Sequence, residues 1–167
     1  MREKLLLRLL LETGARISDQ CNWEFSQVHE DDEWFIDYTS QKTNRKVRAV
    51  INGDTFNLIQ KWKQVKEKDT RKAQDPRILP YTTQHIRRIL TKLKYRAGIR
   101  RKIRPHDFCR STITRLGQLG YDAGFTAKQV GRDVITIQRI YQDVTLKDKG
   151  KLAKAMSIDS IVKDIND

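Results

Sequence analysis

The first thirteen residues are crowded with leucine. Leu5, Leu6, Leu7, Leu9, Leu10 and Leu11 predict a helix over residues 1–13, apolar almost all round except at its charged positions and ended by Gly14. Arg8 interrupts the run, Glu12 closes it and no small-residue cleavage site follows, so it reads as a buried helix and not as a signal segment. Ser18 and Asp19 are expected to cap a short second helix carrying Cys21 and Trp23. From Phe25 the period falls to two. Phe25, Val28, Trp34, Ile36 and Tyr38 predict two strands turning at the acidic segment 30–33, and residues 47–51 predict a third, with a Lys-Thr-Asn turn at 42–44.

Helical spacing returns after Asn52-Gly53-Asp54, which can cap a helix with Phe56, Ile59, Trp62 and Val65 on its apolar side. Residues 66–77 are charged and aperiodic and are expected to form a mobile loop. Thr82 or Thr83 starts a further helix, with Ile86, Ile89, Leu90 and Leu93 on one face and a basic stripe of Arg88, Lys92 and Arg96 on another. Gly98 stops it, and a basic run of Arg100, Arg101, Lys102 and Arg104 follows. Helices are expected at about 107–119 and 126–131, then one leading to Tyr141, with Gly117, Gly120 and Gly131 as punctuation. Residues 147–151 read as a hinge at Gly150. The last stretch, with Leu152, Met156, Ile158, Ile161, Val162 and Ile165, reads as an amphipathic helix. The expected class is mainly α with one small three-stranded antiparallel β-sheet (α+β).

The chain has 167 residues, enough for one ordinary domain. Its formal charge of +13 sets up a positive field that draws polyanions. Cys21 and Cys109 are too few and too far apart for a disulfide framework or a zinc site, which fits a reducing compartment. No apolar run approaches membrane-spanning length, and no nucleotide or metal motif is present.

Four segments carry the candidate chemistry: Thr13-Gly14-Ala15-Arg16-Ile17-Ser18-Asp19; Lys42 in the hairpin turn; Pro105-His106-Asp107-Phe108-Cys109-Arg110; and Val130-Gly131-Arg132, with Tyr141 ten residues beyond Gly131. Together, in this order and at these spacings, they resemble the tyrosine recombinase (phage integrase) family. That family marks the same places with T-G-x-R-x-x-E/D, a hairpin lysine, H-x-x-R, L-G-H/W and a tyrosine. The resemblance covers about residues 5–145. It implies the catalytic-domain fold of that family over residues 1–148 and a tail helix over 149–167, either exchanged between protomers or packed back on its own domain. The helical core-binding domain that usually precedes them is expected to be absent from this chain.

The residue types suit the implied chemistry. Phosphoryl transfer spreads negative charge over the phosphate oxygens, so catalysis is positioning and electrostatics. Arginine offers a permanently charged planar fork. The resemblance implies that Arg16 holds the scissile phosphate. Asp19, one helical turn on, can orient it, although the two could equally form a surface ion pair. Lys42 is implied to protonate the leaving 5′-oxygen, with Arg45, Lys46 and Arg48 as competitors. His106 is implied to assist proton transfer, where the alternative is a capping or buried histidine. Arg132 stands where the family usually has His or Trp, and can also be read as a salt-bridge partner of Asp133. Tyr141 is the implied nucleophile, and otherwise a core aromatic beside Ile137 and Ile140. A phenol attacks poorly while protonated, with a pKa of about 10, and surrounding cations would favour phenolate.

One residue departs from the pattern: Cys109 occupies the position of the second arginine. A neutral thiol cannot replace a guanidinium. Arg110 is adjacent, but one helical step rotates a side chain by about 100°. Either the chain is a substituted or degenerate copy, or Arg132 and Arg110 partly compensate.

The expected function is site-specific DNA recombination or integration by strand breaking and rejoining through a 3′-phosphotyrosine, without cofactor or metal. Double-stranded DNA is the expected partner, with Arg88, Lys92, Arg96, Arg100, Arg101, Lys102 and Arg104 as its footprint. Self-association into a dimer or tetramer on DNA is expected, with no membrane attachment, in the cytoplasm of a bacterial, archaeal or viral setting. Two rivals remain: a catalytically impaired recombinase-like DNA-binding module, and a type IB topoisomerase-like relaxing activity.

Overall fold

The computed structural model describes residues 1–69 and 73–142. The tail expected over 149–167 and the hinge at Gly150 lie outside the described residues. Helix α1, Arg2–Thr13, buries Leu5, Leu6, Leu9 and Leu10 and leaves Leu11 exposed, so it is one-sided rather than apolar all round. Each such leucine contributes about 1.5–3 kcal/mol of burial. Gly14 ends the helix at φ 59°, a left-handed cap that favours glycine. A Cβ there would stand 3.0 Å from Val130 and 3.2 Å from Thr112, so two later helices close on this point.

Helix α2 is Ile17–Gln20 with Arg16 at its N-cap, so Ser18 and Asp19 lie inside the helix and do not cap it. Asp19 is instead drawn inward by the sheet hairpin. Phe25 belongs to a 3-10 turn, Phe25–Gln27, and not to a strand. The sheet is β1 (Val28–Glu30), β2 (Trp34–Thr39) and β3 (Lys46–Val50), antiparallel in that order. Ile36 pairs with Ala49 and Tyr38 with Val47, and these four face the main core. Asn44 takes φ 50° in the hairpin turn, where asparagine tolerates the left-handed region.

Helix α3, Gly53–Glu67, starts at Asn52, whose side chain accepts from the Asp54 amide at 2.8 Å. Phe56, Ile59 and Trp62 are buried as the period requires, but Val65 is 47% exposed. Lys66 takes the buried place. Its ammonium donates to the carbonyls of Asp75 and Arg77, which pins the following segment. Ile78 donates to the Trp23 carbonyl at 2.7 Å, and Arg77 forms a bridge with Glu24. The described part of 66–77 is therefore tied down, contrary to a mobile loop.

Helix α4, Thr83–Arg96, begins at Thr82, whose hydroxyl accepts from His85 N at 3.1 Å, and buries Ile86 and Leu90. Helix α5, Pro105–Gln118, starts two residues earlier than expected because Pro105 fits the first helical turn. Helix α6, Ala123–Val130, is capped by Asp122 and ends at Gly131, φ 64°. Helix α7 covers 134–142. Thr112 of α5 donates to the Leu11 carbonyl at 2.8 Å, fixing α5 on α1. The Gln129 side chain pairs with Val50 as a strand would, accepting from its amide and donating to its carbonyl, both at 2.9 Å. That covers the edge of β3. A second, smaller core of Cys109, Ile113, Ala127, Val130 and Ile137 joins α5, α6 and α7. Among the described residues no helix is long and apolar enough to cross a membrane.

Candidate active site

Where α2, the β2–β3 hairpin, α4 and the start of α5 meet, a cavity of about 640 Å³ opens. Arg16, Lys42, His106, Cys109 and Arg132 all line it, although they come from four separate segments of the chain. Arg87, Lys102 and Arg104 bring its cations to six, with no carboxylate in the lining. Such a wall favours an anion.

Arg16 follows directly from the left-handed cap at Gly14 and Ala15. Its Nη1 donates to Ser40 Oγ at 3.1 Å and to the Gly131 carbonyl at 3.0 Å. Asp19 lies 4.0 Å away, its side chain 1% exposed. It accepts from Ser40 Oγ at 3.2 Å and from the Gln41 amide at 2.9 Å. Asp19 thus reaches Arg16 mainly through Ser40, in the interior, and a surface ion pair is not what forms. The same contacts hold the hairpin that carries Lys42, which is exposed at its tip. Of the competing cations, Arg45 is paired with Asp133 at 2.9 Å and Arg48 with Asp37 at 3.0 Å.

His106 is the second residue of α5 and is exposed. Capping is done by Asp107, which accepts from the Arg104 amide at 2.7 Å, so His106 is neither the cap nor buried. Cys109, one turn on, lies in the cavity wall on the same helix side, whereas Arg110 is exposed and outside that wall. Cys109 Sγ accepts from Arg132 Nε at 2.9 Å. Burial pushes its pKa up, against the pull of Arg132. Arg132 makes no ion pair with Asp133, which Arg45 occupies.

Tyr141 is placed differently. It does not line the cavity. Its hydroxyl meets Thr126 Oγ1 at 2.7 Å and donates to the Tyr121 carbonyl at 3.1 Å. The ring lies on Gly117, where a Cβ would stand 2.7 Å from Tyr141 Cε1. Gly117 lies in the last turn of α5 and makes room for this ring.

The basic stripe also divides. Arg88, Lys92 and Arg96 are exposed, but Arg88 and Lys92 flank a recess with Met1 and Glu3, and Arg96 pairs with Glu3 at 3.5 Å. The cavity is faced instead by Thr83, Arg87 and Thr91, at four-residue spacing on the neighbouring side of α4. Of the following basic run, Lys102 and Arg104 reach the cavity, whereas Arg100 and Arg101 do not. Arg87, Ser40 and Thr126 are the residues that sequence reading passed over. Only Arg87 had a visible signal, that spacing. Among the described residues, no three His, Cys, Asp or Glu side chains gather where they could hold a metal ion.

An α+β domain with a basic, carboxylate-free cavity is built to hold an oxyanion. The sequence matches the phage integrase family over residues 1–147, and the chain belongs to that family. It is 25% identical over 152 residues to a tyrosine recombinase of Agathobacter rectalis, covering 87% of this chain and 49% of that protein. It is 26% identical over 156 residues to tyrosine recombinase XerH of Campylobacter jejuni, covering 92% and 44%. The chain thus spans about half the length of the curated relatives it matches. Solved structures of the same fold include XerA recombinase, TM-score 0.70 at 20% identity over 89% of this chain and 57% of that one. XerH bound to palindromic difH substrate in a post-cleavage complex gives TM-score 0.74 at 20% identity, over 94% of this chain and 45% of that one.

Proposed function

We propose that this chain is the strand-cleaving part of a site-specific DNA recombinase, acting on double-stranded DNA in the cytoplasm. The observation that carries the reading is the cavity that gathers His106 with six cations, Arg16, Lys42 and Arg132 among them, and no carboxylate. In the proposed reaction Tyr141 Oη bonds to the scissile phosphorus and the bond to the 5′-oxygen breaks. Arg16 and Arg132 balance charge on the non-bridging oxygens. Lys42 gives a proton to the leaving 5′-oxygen, and His106 assists proton transfer at the tyrosine. The 3′-phosphotyrosine conserves the bond for rejoining to another 5′-hydroxyl. Membership of the family supports this chemistry, and assembly as a dimer or tetramer on DNA belongs to the same proposal. Tyr141 must leave Thr126 and Tyr121 to attack.

Two observations favour a second reading, a recombinase-like module that binds DNA but cleaves poorly: the thiol at 109, and the tyrosine held outside the cavity. A suicide duplex that loses its 5′-hydroxyl fragment on cleavage separates the two. The wild-type chain is expected to leave a covalent adduct. Tyr141→Phe is expected to leave none, at nearly unchanged DNA affinity. Binding without any adduct, in wild type and in Cys109→Arg, would favour the module.

A further inference from the structure

Among the described residues five buried side-chain polar atoms have no hydrogen-bond partner, Tyr38 Oη and Arg132 Nη2 among them. Tyr38 lies on β2, only 6% exposed, with its ring 5.0 Å from that of Trp23. Its hydroxyl ends 3.2 Å from the place a Cβ would take on Gly131, the residue before Arg132. Tyr38 Oη therefore reaches the residue that precedes Arg132 in the chain. Arg16, Asp19, Cys109 and Arg132 all act electrostatically on the phenol. Burial, and Asp19 after it, raise its pKa above the ordinary value, so it stays a neutral hydroxyl.

Nothing in the packing calls for that hydroxyl. Tyr38 pairs with Val47 across the sheet, beside Ile36 and Ala49, where phenylalanine would fill the same space. A buried polar atom without a partner costs free energy and calls for a reason. The chemistry of the two groups is complementary, because a neutral phenol donates and accepts whereas a guanidinium only donates. Arg132 is meanwhile held through Nε on a thiol, a weak acceptor. A fork that is to grip phosphate oxygens in a fixed plane needs a second anchor.

We infer that Tyr38 is a positioning residue for Arg132: its hydroxyl oxygen takes the hydrogen bond of Nη2 through one bridging water, and so fixes the plane of the guanidinium. Its consequence for cleavage rests on the reading proposed above; its consequence for Arg132 does not.

The test is nitrogen-15 NMR of the arginine side chains in the full chain, with Arg132 assigned through Arg132→Lys. Exchange of the Arg132 Nη protons is expected to be about tenfold faster in Tyr38→Phe, the loss of one ordinary hydrogen bond. The thermal midpoint should fall by about 2–4 °C, since removing the acceptor leaves the buried Arg132 Nη2 without a partner. Where wild type or Cys109→Arg forms an adduct, Tyr38→Phe on the same background should form it several-fold more slowly at unchanged DNA affinity. Equal exchange in the two proteins overturns the inference, as does faster exchange with no loss of cleavage. If neither wild type nor Cys109→Arg forms an adduct, the reading of the preceding section fails, and the exchange comparison still decides the role of Tyr38.

Discussion

Cys109 stands where the proposed chemistry wants a second guanidinium, one turn from His106 and hydrogen-bonded to Arg132. Loss of one positioned charge-assisted donor costs about 3–4 kcal/mol of transition-state stabilisation, or about 10²–10³ in rate. Cys109→Arg is therefore expected to raise single-turnover cleavage by that order with little change in affinity. If Arg110→Ala abolishes activity while Cys109→Arg adds none, then Arg110 is the working arginine. Thr126 is the second residue to alter. Thr126→Val keeps the volume and removes a hydroxyl that holds the Tyr141 hydroxyl, as the Tyr121 carbonyl also does. The lost bond is worth about 1 kcal/mol, a drop of about 2–4 °C in midpoint for a domain of this size. Cleavage should become faster, because less holds the nucleophile away. A slower reaction would mean that Thr126 serves the attacking state. At this scale Arg16, Lys42, His106 and Arg132 were legible as motif positions. Thr126, Ser40 and Tyr38 were not, because a hydroxyl takes its role from a neighbour that sequence does not reveal.

Caps and glycines made the elements readable. Asn52, Thr82 and Asp122 each accept a hydrogen bond from the first turn of a helix, and Gly14 and Gly131 close α1 and α6 in the left-handed region. Phase was harder to read. In α3 the period set by Ile59 and Trp62 points to residue 66, but a lysine there looked polar and Val65 looked apolar. The buried lysine is stable because two backbone carbonyls face it. In α4 the stripe at Arg88 was the more conspicuous, while the cavity is met by Arg87, about 100° round the helix. Gly117 provides the test at this scale. Alanine is the better helix former by about 1 kcal/mol, but its Cβ would overlap the Tyr141 ring, an overpacking cost of about 1–3 kcal/mol. Gly117→Ala should therefore dislodge Tyr141. Amide exchange over 134–142 should rise while that of α5 stays unchanged. Unaltered exchange over 134–142 would show that the ring does not depend on this seat.

The formal charge of +13 is distributed so that one concave face holds six cations without a carboxylate. Counterion release makes such binding steeply salt-dependent: six to ten phosphate contacts lose about 10³–10⁵ in affinity between 50 and 200 mM salt. Arg87→Glu should weaken binding to all sequences more than Arg88→Glu does, since only Arg87 lines the cavity. Equal effects would return the footprint to the stripe. Charge alone predicted a polyanion partner; the face proposed to meet it depended on how five segments fold together. The central claim is that this cavity serves a tyrosine attack on a DNA phosphate. The most direct measurement is peptide mapping of the covalent product formed on a pool of nicked duplexes of randomised sequence, with wild type and Cys109→Arg in parallel. The account predicts DNA attached through a 3′-phosphate to Tyr141, more abundantly in Cys109→Arg. Attachment at any other residue, or no covalent product from either protein, would contradict it.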